Sequence, residues 1–329
     1  MNCLFTTLPV AALLLAWATA QGEPATAVDP QAVRRLVATM RAPTTTAERL
    51  GQAVADLAAA GPVGLTELEG HVGREAKRLT GLADGRPKTG PLDEEIESLR
   101  TTLRRLREEP ELSKEQLKTV GLPTLEALTV AWGRREAVLA PWRKKQELAR
   151  GQAGRLAAVL AAWQASGGGG QAEALAGQIA ELQGRLAPDD EQAARVFAEN
   201  DVLAKGLPAE LVPGMTAVNT IRLTCGLSPL VFDPKLCEAA AMHSRDMESH
   251  GFFAHESPLP GKETPWDRAK LAGTTASGEN IYMGSTVGSD AIKAWFLSPG
   301  HHKNMFGAGH TRQGLGRAGK YWTQLFGAE

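Results

Sequence analysis

Trp295-Phe296-Leu297-Ser298-Pro299-Gly300-His301 is the stretch on which the fold of this 329-residue chain turns. Ahead of it, Ile292 and Trp295 are spaced as one helical face. Ser289 or Asp290 stands at the cap position, and Pro299-Gly300 closes the helix. Upstream, Gly278-Glu279-Asn280 reads as a turn leading into a short strand, Ile281-Tyr282-Met283. Downstream, Tyr321 to Phe326 alternates as a last strand. Further back, Met215 to Arg222 is helical and ends near Gly226, and Pro229 to Asp233 is extended. Asp233-Pro234 then caps and opens a helix on which Leu236, Ala240, His243 and Met247 share one face. Helices and strands mixed in this order predict an α+β fold for residues 206–329.

Composition sets this segment apart. It holds six of the seven histidines, both tyrosines, six of the eight phenylalanines and two of the three cysteines. A polar, aromatic site with imidazoles therefore belongs here. Residues 21–205 are instead rich in Ala, Leu, Arg, Glu and Gln. Ile96, Leu99, Leu103 and Leu106 form one apolar stripe, and Leu175, Ile179, Leu182 and Leu186 form another. Breaks are expected at Gly85–Pro91, Pro110, Gly121–Pro123 and Ser166–Gly170. The region reads as a helical bundle or a set of helical hairpins, with its one histidine, His71, in a solvated, charged setting. It has no catalytic spacing.

Leu4 to Ala20 carries no charge, and Ala18-Thr19-Ala20 has the small-x-small form of a processing site. Its apolar core of about 10 residues is half of what a bilayer requires. Residues 1–20 therefore read as a cleaved export signal, with no membrane span after its removal. The expected location is secreted, or periplasmic and cell-envelope. Lys plus Arg number 36 against 37 for Asp plus Glu, a net charge of −1, which excludes bulk electrostatic binding of nucleic acid. Export permits oxidation, so Cys225 and Cys237 are a candidate disulfide. Closing so short a loop is worth about 3 kcal/mol; two buried free thiols are the alternative.

Several catalytic motifs fail on mechanics. Gly314-Leu315-Gly316-Arg317-Ala318-Gly319 matches G-x-G-x-x-G, but too little chain follows for the helix and acidic residue of a dinucleotide site. His255-Glu256 begins like H-E-x-x-H, but position 259 is Leu. No G-x-S-x-G and no C-x-x-C is present.

One long pattern remains. It runs Asn219-x-x-Arg222, Gly226-Leu227-x-Pro229-Leu230, His243-Ser244-x-Asp246-Met247 and Phe252-Phe253-x-His255-x-Ser257-Pro258. It continues through Asp267-Arg268, Ala272-Gly273, Gly278-Glu279-Asn280-Ile281 and Trp295-x-x-Ser298-Pro299-Gly300-His301, and closes with Asn304-Met305 and Trp322-Thr323-Gln324-x-Phe326-Gly327. In this order the pattern resembles the CAP superfamily (cysteine-rich secretory proteins, antigen five, pathogenesis-related one) in its short bacterial SCP-like form. The resemblance covers roughly residues 209–329. It implies an α-β-α sandwich with an open cleft that gathers two histidines and up to two glutamates. His255, Glu279 and His301 match the first histidine, the Gly-Glu-Asn glutamate and the second histidine. The other family glutamate has no counterpart, since Trp295-Phe296-Leu297-Ser298 holds no acid. His302 stands where bacterial relatives usually carry Arg, so a titratable group replaces a permanent cation.

His255, Glu279 and His301 are thus the candidate catalytic residues, and His255 and His301 the candidate metal ligands. Two neutral imidazoles from separate loops can hold zinc or another divalent ion and leave positions open. A nearby carboxylate can orient water or act as a base. The bland readings stand beside these: His243 as a packed core histidine, His250 and His310 as surface loop residues, and Asn219, Arg222, Asp246 and Asn304 as structural hydrogen-bonders. Three functions follow. The first is an exported module binding a small apolar molecule, a peptide or a cell-envelope component. The second is a metal-assisted hydrolase or peptidase. The third is an envelope scaffold whose helical region binds a protein partner. The first is preferred, with catalysis not expected.

Overall fold

The computed structural model describes residues 29–328, so the expected export signal over residues 1–20 lies outside the described part. By contact the chain forms two compact units. One comprises the described residues up to Gly85 together with Lys145–Leu186; the other comprises Arg86–Lys144 and the residues from Ala187 onward. Among the described residues no helix is long and apolar enough to cross a membrane.

The first unit begins with α1 (Pro30–Arg41), α2 (Ala47–Ala59) and α3 (Pro62–Ala83). Pro30 takes the first position of α1, and the Asp29 carboxylate accepts from the Gln31 and Ala32 amides at 2.8 and 3.2 Å. There follow α4 (Gly90–Glu108), the single turn α5 (Lys114–Gln116), a π-turn (Leu117–Gly121), α6 (Leu122–Ala165), α7 (Gly169–Arg185) and α8 (Glu191–Leu203). The part of α6 from Lys145 onward and α7 belong to the first unit. Its core gathers Leu57, Leu68, Leu79, Leu156, Trp163 and Ile179.

Gly121–Pro123 is not the break its composition predicts. The π-turn runs straight into α6, and Pro123, which has no N–H to give the preceding turn, sits where the ladder is widened. Gly121 also packs against Leu106, Leu117 and Phe296, where a side chain would crowd.

In the second unit come α9 (Val212–Thr224), β1 (Val231–Phe232), α10 (Pro234–His250), α11 (Pro265–Leu271), β2 (Gly278–Met283), α12 (Gly288–Phe296), α13 (Pro299–Met305), β3 (Arg312–Ala318) and β4 (Tyr321–Gly327). This is a mixed α+β region preceded by a large all-α one. The sheet order is β1-β3-β4-β2, parallel between β1 and β3 and antiparallel elsewhere. Strand alternation sends Leu325 to one face, with Leu236, Ala240 and Ala269. Trp322 and Phe326 go to the other, with Met215, Trp295 and Phe296. Helix α10 thus covers one face, and α9 and α12 the other.

The glycines of the G-x-G-x-x-G run have a packing reason. A Cβ on Gly314 would lie 2.3 Å from the Cys237 amide nitrogen, and one on Gly316 2.0 Å from that of Ala241. Bare backbone in β3 lets α10 lie directly on the strand. Residues before 206 complete this core: Ile96, Leu103, Leu125 and Leu128 are buried with Met215, Leu230 and Trp295. Asn200 on α8 reaches β1, donating to the Leu230 carbonyl at 3.0 Å and accepting from the Phe232 amide at 2.7 Å. That pairing closes the strand's outer edge.

Cys225 and Cys237 are free and buried, so the candidate disulfide is not formed. Each thiol has its own surroundings. Cys237 Sγ lies 3.8 Å from Met215 Sδ, and Arg107 and Arg100 act on Cys225. Burial pushes both thiols up to about 11.

Candidate functional site

The Gly278–Asn280 segment is the first part of β2 rather than a turn. Glu279 pairs with Leu325 and Asn280 with Gln324, so Glu279 is fixed by a full ladder. Pro299-Gly300 likewise ends one helix and starts another. Pro299 occupies the first turn of α13, which carries His301 and His302. His255 lies in the segment between α10 and α11.

These elements bring His255 and Glu279 together, with Nδ1 of the ring 2.8 Å from Glu279 Oε1. The other carboxylate oxygen, Oε2, accepts from Arg268 Nη2 at 2.7 Å. Glu279 and Arg268 are both buried, whereas the His255 side chain is half exposed. Arg268 also donates to the carbonyls of His255, Lys262 and Glu263, at 3.0, 2.9 and 3.2 Å. One guanidinium thus ties the His255 loop to the strand bearing Glu279, and residue-type reasoning gave Arg268 no such role. The His301 ring lies beside His255, with centroids 5.9 Å apart. Burial pushes the His301 imidazole below the ordinary histidine range, as does His255, while Glu279 acts the other way. Asn304 holds the back of the site, donating to the Glu279 carbonyl at 2.9 Å and to Asn280 Oδ1 at 3.0 Å.

With Glu279 at Nδ1, the Nε2 edge of His255 is left for a ligand, an arrangement that fixes the direction of the imidazole. Among the described residues, no group of three or more His, Cys, Asp or Glu is disposed to hold a metal ion. What the trio presents is two neighbouring imidazoles in front of a buried ion pair.

The remaining histidines separate clearly. His243 is fully buried, 3.0 Å from the Ala254 carbonyl and packed on Phe252. His302 is buried, with Nδ1 2.8 Å from the Phe296 carbonyl, and burial pushes its imidazole down to about 4. It is therefore neutral at physiological pH and does not replace a cation. His310 is not a plain surface residue. It stacks on Phe326 at 4.7 Å, and Nδ1 lies 2.8 Å from Ser277 Oγ. Nothing in its local sequence signals this, because Phe326 lies on β4 and Ser277 just before β2. Arg222 donates to the carbonyls of Ser228, Met305 and Gly307, at 3.0, 2.8 and 3.0 Å. Asn219 exchanges hydrogen bonds with the Leu230 backbone. Both are structural.

Comparison with known proteins bears on the C-terminal region. Residues 215–326 match the CAP model, described as the cysteine-rich secretory protein family. The chain is 38% identical over 112 residues to the uncharacterized protein YkwD of Bacillus subtilis, covering 33% of this chain and 43% of that one. It is 33% identical over 108 residues to the uncharacterized membrane protein YlbC of the same organism, covering 33% and 31%. The chain thus spans less than half the length of either curated relative. Among solved structures, an extracellular SCP-domain protein of Bacillus anthracis is 30% identical, covering 37% of this chain and 41% of that one, with a TM-score of 0.35. The C-terminal region is a CAP/SCP-like domain, and the match agrees with an exported protein, secreted or held at the cell envelope.

Proposed function

We propose that the chain is an exported protein whose CAP-like domain binds a ligand at the His255–His301 edge, the ligand being a small apolar molecule, a peptide or a cell-envelope component. The observation that supports this reading is the commitment of both Glu279 oxygens, one to His255 and the other to Arg268. A buried carboxylate so engaged positions an imidazole; it is not a free base waiting for water. Ligand binding therefore fits the site better than hydrolysis. The uncharged residues Leu4–Ala20 support export.

A divalent ion fits the donor chemistry, with His255 and His301 as its protein ligands and Glu279 behind the first ring. When bound it would supply Lewis acidity at the edge of the site. Two imidazoles make a weak site, so the ion would be exchangeable.

The test is native mass spectrometry of the purified full chain after incubation with an envelope extract, with metal content measured in parallel. The wild type is expected to retain a ligand that His255→Ala and His301→Ala lose. Retention unchanged in both variants, or no ligand and no metal in any of them, overturns the reading. Turnover of a peptide library that disappears in Glu279→Gln replaces binding with hydrolysis.

A further inference from the structure

The helical first unit contains a cavity of about 240 Å³. Three elements line this open cavity: the end of α1 with Met40 and Arg41, one face of α3, and α6. On α3 the lining residues are His71, Glu75 and Arg78, at positions i, i+4 and i+7. Arg155, Leu156 and Val159 contribute from α6.

Charge and apolarity are separated within it. Arg41, Arg78 and Arg155 line the space with Glu75 as the one carboxylate among the lining residues. Arg78 gives Nε and Nη2 to Glu75 Oε2, at 3.0 and 2.8 Å, and Nη2 also to Gln152 Oε1 at 2.5 Å, so Nη1 is the donor it has left. Arg155 donates to the carbonyls of Met40, Ala42, Pro43 and Thr45, at 3.3, 2.6, 3.2 and 3.3 Å. Its charge stabilises the C-terminal end of α1 without being neutralised by a carboxylate. Met40, Leu156 and Val159 supply an apolar wall. His71 is half-buried, and burial, with Arg41 and Arg74, holds its imidazole below the ordinary histidine range against the opposite pull of Glu75. Among the described residues, Arg41 and Arg155 thus bring to the lining two positive charges that no carboxylate pairs.

We propose that this cavity is a binding site for a small organic oxyanion, a phosphate or carboxylate whose head meets Arg41, Arg78 and His71 and whose short apolar part lies on Met40, Leu156 and Val159. The Arg41 guanidinium can take such a group in bidentate fashion, and Arg78 adds its remaining Nη1 donor. The volume falls below the range of about 300–1,000 Å³ typical of drug-sized sites, which restricts the occupant to a few heavy atoms beyond its head. The site is independent of the His255–His301 edge and assigns a role to a region that has none from its sequence.

The test titrates the full chain with hexyl phosphate and with inorganic phosphate by calorimetry, and follows the His71 ring by NMR. Hexyl phosphate is expected to bind at one site, roughly tenfold more tightly than inorganic phosphate because it covers the apolar wall. It should also move the His71 ring toward its protonated shifts. Arg41 is exposed and caps nothing, so Arg41→Gln keeps the fold and is expected to weaken hexyl phosphate about fivefold. A second arm sediments the protein with vesicles containing phosphatidic acid. Sedimentation that Arg41→Gln abolishes supports the site and identifies a lipid headgroup as the source of the phosphate. Hexyl phosphate binding without sedimentation supports it and identifies a soluble ligand. No binding in either arm, affinity unchanged in Arg41→Gln, or a silent His71 overturns the proposal.

Discussion

Ile96-Leu99-Leu103-Leu106 and Leu175-Ile179-Leu182-Leu186 are equivalent as sequence patterns, yet they end in different kinds of interior. The second stripe joins Leu68, Leu156 and Trp163 in a core built almost wholly of aliphatic side chains. Among the described residues of that unit, Gln146 is the buried polar side chain, and it donates to the Leu82 carbonyl at 2.6 Å. From the first stripe, Ile96 and Leu103 join Met215, Trp295 and Phe296 in a unit that also buries Arg222, Arg268, Glu279, His243 and His302. An aliphatic core tolerates exchange of one hydrophobic shape for another. A core containing ions depends on named partners, because removing one leaves the other desolvated and unpaired. The two units should therefore differ in how they respond to single substitutions and to acid.

The largest effect is expected from Arg268→Ala. It strands the buried Glu279 carboxylate and removes donors from three carbonyls, at a cost of about 3–5 kcal/mol. Hydrogen exchange read by mass spectrometry should lose protection in β2 and α11 while α2 and α3 keep theirs. Unchanged protection in β2 would erase the distinction between the two interiors.

Acid gives the next largest. His302 has a folded value of about 4 against about 6.5 when unfolded, so the unfolded chain binds the proton more readily. Its contribution is complete above pH 6.5 and is lost as the pH falls from there to about 4. The gap between the two values corresponds to about 3 kcal/mol. Urea midpoints of His302→Gln, whose amide can still donate to the Phe296 carbonyl, should fall less steeply over that window. A slope equal to that of the wild type would move the acid sensitivity elsewhere. His71 in the helical unit is also pushed down, but it is only half-buried and contributes less.

These sites also mark where the sequence was legible. The face made by Leu236, Ala240, His243 and Met247 is fully buried, because a helical period states burial directly. Strand β4 follows from its alternation. The period does not say which partner a stripe meets, and so the part of residues 21–205 that joins the C-terminal core could not be read. Helix α13 was hidden because Pro-Gly signals an end as readily as a beginning. Strand β3 was hidden because its glycines resemble a loop until α10 is seen lying on them. At the candidate site, His255, Glu279 and His301 were legible through resemblance. Arg268 was visible only as half of an Asp-Arg fragment, since its partners are the backbone and a distant carboxylate.

A smaller effect falls in the aliphatic unit. Asp29→Ala removes the cap of α1 and leaves the Gln31 and Ala32 amides to water, costing about 1 kcal/mol. The loss should appear as faster exchange in the first turn of α1 with β2 untouched. Destabilisation matching that of Arg268→Ala would mean that the helical unit, too, rests on one specific interaction.

The smallest effect is expected where residue spacing alone suggests a large one. A Cys225–Cys237 bridge would stabilise the C-terminal unit by about 3 kcal/mol, and a reductant would remove that much. With both thiols free, dithiothreitol should leave the urea midpoint where it is. Alkylation separates the cases further. Burial and an upward shift to about 11 keep the thiolate fraction small in the folded chain, so iodoacetamide should label neither cysteine until urea unfolds the protein, and then both. Labelling that requires prior reduction even in urea would reinstate the bridge. It would also mean that the ion-bearing interior needs a covalent staple that the aliphatic one does without.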